Sequence, residues 1–113
     1  MNEEEIINQN LEKLESNIDD FIKRRINHHN FSKILYYLWT QSKKGDFVYV
    51  NELSRFTKLT KARSYTILNE LCEVFLLEKR HTGNLVEYWF VKNDGKVLIE
   101  NYIPLIKKIL GLE

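Results

Sequence analysis

Between Glu3 and His28 the chain contains neither glycine nor proline, and Ile7, Leu11, Leu14, Ile18 and Phe21 recur at spacings of 4, 3, 4 and 3. That periodicity predicts an α-helix with a heptad seam. At about 25 residues such a helix reaches ~37 Å, longer than a small domain needs to cover its own core. Ile6, Ile22 and Ile26 widen the apolar stripe, so the helix needs a partner. It either folds back on the C-terminal helix of its own chain or packs across a dimer. The second is the favoured expectation, because two or three heptads alone make a weak coiled coil.

The whole chain has 113 residues, 43% of them hydrophobic, with one proline and four glycines, which predicts a single domain over 1–113. A domain of that size can just support its own core, which again favours dimerisation. A lone cysteine forms no internal disulfide, and His28, His29 and His81 show no metal-ligand spacing, so no metal or cofactor is expected. No run approaches the ~18 apolar residues of a membrane span, and the start Met-Asn-Glu-Glu-Glu has the wrong charge for a signal peptide. The expectation is a cytoplasmic protein. Its net charge of +1 conceals an asymmetry: the first twenty positions hold seven acidic residues against Lys13 alone, and the remainder holds 16 basic and 9 acidic residues. An acidic arm and a mildly basic body suit a body that meets a polyanion, although Glu3, Glu4 and Glu5 also favour the dipole of the helix they open.

After the first helix, Asn30 or Ser32 can cap a second from Phe31 to about Lys44, with Ile34, Leu35, Leu38 and Trp39 on one face. Phe47 to Val50 reads as a short strand, and Asn51 as the cap of a short helix through Phe56. A turn at Thr57-Lys58-Leu59 leads to Thr60, which caps a helix from Lys61 to about Phe75. Two β-favouring runs, Leu76 to His81 and Leu85 to Lys92, are joined by Thr82-Gly83-Asn84 and predict a hairpin. Asn93-Asp94-Gly95 predicts a break. A last helix over Lys96 to Leu112 carries Leu98, Tyr102, Leu105, Ile109 and Leu112 at spacings of 4, 3, 4 and 3, with a kink or restart expected near Ile103 because of Pro104.

This order of elements contains a winged helix-turn-helix, and the run from Val50 to Arg80, with Glu52-Leu53, Thr60, Ile67, Leu68, Leu71 and the charged Glu78-Lys79-Arg80, resembles the core of MarR-, PadR- and related regulators. The aromatic stretch Glu87-Tyr88-Trp89-Phe90-Val91 and the following Asp94-Gly95-Lys96 are similar to those regulators too. Phe75-Leu76 stands where Gly-Leu is usual, and Ser54 where a small alanine is common. The long terminal helices resemble those of small dimeric archaeal regulators. The resemblance implies a mainly α fold with a small β-hairpin wing (α+β), divided into a dimerisation helix (1–29), a winged helix-turn-helix (30–94) and a C-terminal helix (95–113).

It also implies a sequence-specific double-stranded DNA-binding transcriptional regulator acting as a homodimer. The recognition helix, 60–75, would enter the major groove, and the wing, 76–92, would meet backbone or minor groove. Lys58, Thr60 and Lys61 then face phosphates, while Arg63, Tyr65, Thr66 and Asn69 face bases. Arg63 is the strongest base reader, because a guanidinium can bond guanine bidentately. Lys79, Arg80, His81 and Asn84 form the wing contact, with Arg80 as the groove-inserting residue. Ile7, Leu11, Leu14, Ile18, Phe21, Tyr102, Leu105 and Ile109 form the expected dimer interface. Cys72 and the cluster Tyr36, Tyr37 and Trp39 read as core packing, and no small-molecule effector is indicated. The alternative is a winged module for protein contacts in a transcription or replication assembly, suggested by the modest positive charge and by Glu70, Glu73 and Glu78 near the DNA face. An enzyme is not expected: the chain has no glycine-rich phosphate loop, no nucleophile-and-base arrangement and no metal-ligand spacing.

Overall fold

The computed structural model describes residues 2–45, 47–91 and 93–112, without the side chains of residues 6–16, 93 and 94. Five helices and three strands run in the order α1 (Glu3–Arg25), α2 (His29–Ser42), β1 (Phe47–Tyr49), α3 (Val50–Thr57), α4 (Lys61–Glu73), β2 (Leu77–Thr82), β3 (Leu85–Phe90) and α5 (Asn93–Leu110). The strands form one antiparallel sheet in the order β1-β3-β2. This is the mainly helical architecture with a hairpin wing that the sequence implies.

α1 starts where its chemistry dictates. The Asn2 side chain accepts from the Glu5 backbone N–H at 2.8 Å, three glutamates occupy the first turn and Lys23, Arg24 and Arg25 the last, so both ends complement the dipole. Only part of its apolar stripe is left for another chain. Ile18, Phe21, Ile22 and Ile26 are buried in the core of the same protomer, Phe21 meets Phe31 edge-on at 5.8 Å, and Tyr102 of α5 donates to Asp19. The C-terminal half of α1 therefore folds back on its own domain.

α2 is the central element, with Phe31, Ile34, Leu35, Tyr37 and Leu38 all buried, and α5 and α3 pack on it. Its start differs from the sequence expectation of a cap at Asn30 or Ser32. The helix begins at His29 with no side-chain cap, and Ser32 is turned inward, its hydroxyl donating to the Ile26 carbonyl. α3 likewise begins one residue before the expected cap: Val50 is already helical and buried, which puts Asn51 in the first turn. The break expected at Asn93-Asp94-Gly95 is instead the first turn of α5. Gly95 is required there, since a Cβ would lie 2.8 Å from Leu76 Cδ1 and 3.6 Å from Phe90 Cδ1. The helical assignment of α5 continues through Pro104 with no restart near Ile103.

α5 carries two apolar stripes. Ile99, Ile103 and Ile106 face the core and are buried, whereas the heptad-spaced set is displaced to the flank. There Leu98, Tyr102 and Ile109 are half-buried and Leu105 is 43% exposed.

Candidate nucleic-acid interface

The site grows from the packing of α4. Ser64, Ile67, Leu68 and Leu71 are buried, so helical geometry turns Ala62, Thr66, Asn69 and Glu73 directly outward. Thr60 caps the helix as expected, its hydroxyl accepting from the Arg63 backbone N–H at 3.1 Å. The crossing of α3 and α4 is close and polar: Ser54 Oγ lies 3.1 Å from Ser64 Oγ, and the Ser64 hydroxyl donates to the Thr60 carbonyl at 2.9 Å. Ser54 thus supplies a hydrogen bond where an alanine would supply only small size. The turn between these helices is made by Lys58 in the left-handed region, at φ 65°, with the Thr57 hydroxyl tied back to the Leu53 carbonyl.

A second left-handed residue, Phe75 at φ 63°, closes α4. The Leu76 N–H reaches the Leu71 carbonyl at 3.0 Å and the Phe75 N–H the Cys72 carbonyl at 3.0 Å, which satisfies the last carbonyls as a glycine C-cap would. The sharp turn into the wing is therefore present without the usual glycine, and the Phe75 ring is left 59% exposed.

Strand alternation gives the wing two chemically different faces. Toward α4, Tyr88 is buried and its hydroxyl donates to Asn69 Oδ1 at 3.1 Å, while Lys79 Nζ sits 6.0 Å from the Tyr65 ring and 5.9 Å from that of Tyr88. Burial, with smaller contributions from Cys72 and Tyr65, pushes the Tyr88 phenol up to about 12. On the other face, Glu87 accepts from Trp89 Nε1 and the Thr82 hydroxyl at 3.1 Å and from the Tyr49 hydroxyl at 3.2 Å. The Trp89 indole leads in holding this carboxyl below its ordinary range, with Thr82, Tyr49 and Arg80 adding to it against the opposing effect of burial. Phe47 stacks on Trp89 at 4.8 Å. Arg80 belongs to this second face. It is ion-paired with Glu78, with Nε 2.6 Å from the carboxylate, and lies 4.2 Å from the centre of the Trp89 ring. The wing cation beside α4 is Lys79.

All eleven side chains expected at the DNA face, Lys58, Thr60, Lys61, Arg63, Tyr65, Thr66, Asn69, Lys79, Arg80, His81 and Asn84, are exposed. Lys61 and Tyr65 share the wing-side flank of α4 with Lys79. Arg63 stands on the opposite flank, in a cavity of about 280 Å³ walled also by Arg25, His28, His29, Asn30 and Glu70. This second flank was missed in the sequence, where the only signal was the Lys23-Arg24-Arg25 and His28-His29 clustering. Glu70, one of the acidic residues that counted against DNA, is ion-paired with Arg25, and Glu78 is ion-paired with Arg80. Cys72 is half-buried, and burial raises its thiol above the ordinary value, in keeping with a packing role. Among the described residues no helix is long and apolar enough to cross a membrane.

Of the expected dimer set, Ile7, Leu11 and Leu14 have side chains outside the described residues, and Ile18 and Phe21 are covered within the protomer. Tyr102 and Ile109 are half-buried, and Leu105 is exposed.

No protein-family model matches the chain, and no curated protein is similar enough in sequence to match. Solved structures do. That of AF1382 from Archaeoglobus fulgidus has a TM-score of 0.64 at 15% identity, covering 73% of this chain and 89% of that one. The homodimeric winged helix-turn-helix DNA-binding domain Mb0332 from Mycobacterium bovis, a possible ArsR-family regulator, has a TM-score of 0.62 at 16% identity, covering 88% and 84%. MepR, a transcription regulator of the Staphylococcus aureus multidrug efflux pump MepA, has a TM-score of 0.60 at 12% identity, covering 96% and 79%.

Proposed function

These likenesses establish a winged helix-turn-helix fold for this chain. From that premise we propose that it is a homodimeric, sequence-specific double-stranded DNA-binding transcriptional regulator. The observation that carries the reading is α4, a capped helix whose outward ridge, Ala62, Thr66 and Asn69, is exposed while Ser64, Ile67, Leu68 and Leu71 anchor its back. Its 13 residues give a rod of ~20 Å, and a helix fits the ~12 Å width of the major groove. Thr66 and Asn69 reach base edges, and Lys58, Thr60 and Lys61 meet phosphates. The wing follows the adjacent backbone with Lys79, and His81 and Asn84 stand at its tip.

Dimerisation uses the outer seam of α1, through Ile7, Leu11 and Leu14, with the flank of α5 that leaves Leu105 exposed. Support comes from that uncovered apolar flank and from the homodimeric domain of similar fold. Two recognition helices related by a two-fold axis would address half-sites ~34–36 Å apart, so the operator is pseudo-palindromic.

The test is sizing in solution followed by titration of random-sequence duplex at two salt concentrations, with wild type against Lys61→Ala combined with Lys79→Ala. A dimer whose affinity falls steeply with salt, and falls further in the double variant, supports the regulator. A monomer, or a dimer indifferent to DNA, refutes it and favours a protein-contact module.

A further inference from the structure

A helix seated in the major groove has a phosphodiester strand along each flank, because its diameter of ~10–12 Å nearly fills the ~12 Å groove. On the wing side of α4 the strand meets Lys61, Tyr65 and Lys79. The other flank carries Arg63, and Arg63 does not stand alone: it shares the cavity of about 280 Å³ with Arg25 at the end of α1 and with His28, His29 and Asn30 at the α1–α2 corner. Arg25 is fixed there by its ion pair to Glu70 and by its guanidinium lying 4.6 Å from the centre of the Phe21 ring. The one carboxylate in the cavity is therefore already neutralised, leaving the Arg63 charge in excess. His28 and His29 are exposed and Asn30 half-exposed, and their imidazole and amide N–H groups are donors suited to phosphate oxygens.

We propose that Arg63 and the α1–α2 corner form a clamp for the DNA phosphodiester strand on the far side of the recognition helix, so that Arg63 holds backbone and reads no base. This rests on the DNA-binding reading given above and deepens it. Arg63 departs from Lys61 and Tyr65 by facing away from the wing, and from Thr66 and Asn69 by lying on the flank of α4. Phosphate contacts position a protein without carrying sequence information. The clamp therefore fixes the roll of α4 in the groove, with base reading left to the outward ridge.

The two roles of Arg63 have different signatures. A backbone clamp lost in Arg63→Ala weakens random duplex and the tightest sequence selected from a random pool by the same factor, and lowers the slope of log affinity against log salt by about 0.9. A lost base reader relaxes preference at one position and leaves random-duplex binding nearly unchanged. Asn30→Asp provides a nearly isosteric second variant, since an acid in the first turn of α2 suits the helix dipole and leaves the melting temperature at or above wild type. Beside a phosphate it lowers affinity for both duplexes about three- to tenfold. Asn69→Ala serves as the base-side control, losing preference for the selected sequence over the random one.

The clamp is overturned if Arg63→Ala keeps the wild-type salt slope, if it loses selectivity alone, or if Asn30→Asp binds as wild type does. It is overturned as well if millimolar inorganic phosphate, at matched ionic strength, binds wild type but not Arg63→Ala and leaves duplex affinity untouched, which would assign the cavity to a free anion. Failure of the wild-type chain to bind random duplex with any salt dependence sinks the DNA-binding reading itself, a result separable from all of these.

Discussion

Lys58 occupies a backbone conformation that costs a lysine free energy, at a point where a lysine is useful. Its φ of 65° places it in the left-handed region between α3 and α4, and its side chain is exposed. A residue with a Cβ loses roughly 1–2 kcal/mol there, and glycine avoids this at the expense of ~0.5–1 kcal/mol of additional unfolded-chain freedom. Lys58→Gly should therefore stabilise the domain by about 0.5–1 kcal/mol, since an exposed side chain forfeits little packing. With an unfolding entropy of ~2.1 cal/mol/K per residue, that is a rise of roughly 2–4 °C in melting temperature for a chain of this length. Lys58→Ala keeps the strain and removes only the charge, so it melts with wild type. Both variants lose one phosphate neutralisation, and the slope of log affinity against log salt falls by about 0.9 in each. The assays are thermal unfolding by circular dichroism and duplex titration across a salt series. Equal melting of the glycine and alanine variants would refute the strain argument. Unchanged salt slopes in both would refute the placement of Lys58 against DNA.

Acid and alkali should act through different carboxylates and phenols. The Glu87 carboxyl is held low first by the Trp89 indole, and that of Asp19 first by the Tyr102 hydroxyl and then by Lys23, so both are more acidic folded than unfolded. Their stabilisation is present above the ordinary carboxylate range near 4 and is lost as pH falls through the lower folded values; urea midpoints measured downward from pH 5 should show this loss diminished in Glu87→Gln. Tyr88, raised to about 12 by burial, is harder to ionise folded than unfolded. Stability therefore declines as pH rises from about 10 toward 12, and Tyr88→Phe flattens that decline while costing about 1 kcal/mol at neutral pH for the lost bond to Asn69. Gly95→Val sets a branched side chain against Leu76 and should destabilise by about 1–3 kcal/mol, read as a lower urea midpoint with an unchanged slope.

The order of elements was legible because its signals are local. Thr60 caps α4 through a bond to the backbone three residues on, the hairpin follows from Gly83-Asn84 between two β-favouring runs, and the outward set Thr66 and Asn69 follows from 3.6-residue periodicity. The same locality explains the misplaced caps. Asn30, Ser32 and Asn51 all have cap chemistry, but burial of Val50 and the inward hydroxyl of Ser32 set the helix starts, and those are non-local events. Phe75 carries no sequence sign of its left-handed turn, which is imposed by the closing of α4 against Leu71 and Cys72.

What the sequence by itself determined is therefore the list of elements and the face each surface residue occupies on its own helix or strand. Tertiary structure decided which faces meet. α5 has two apolar stripes of nearly equal strength, and only packing against the rest of the domain chose Ile99, Ile103 and Ile106 over the heptad set for the core. Lys79 and Arg80 alternate in any strand, yet the sheet register with Tyr88 and Glu87 is what turns Lys79 to α4 and Arg80 to Glu78 and Trp89. Arg63 and Arg25 lie 38 positions apart in the chain and line one cavity because α1 folds back on its own domain. Periodicity and capping act over one turn of chain, whereas a binding surface is the sum of contacts between turns far apart, and the chain must be folded before those contacts exist.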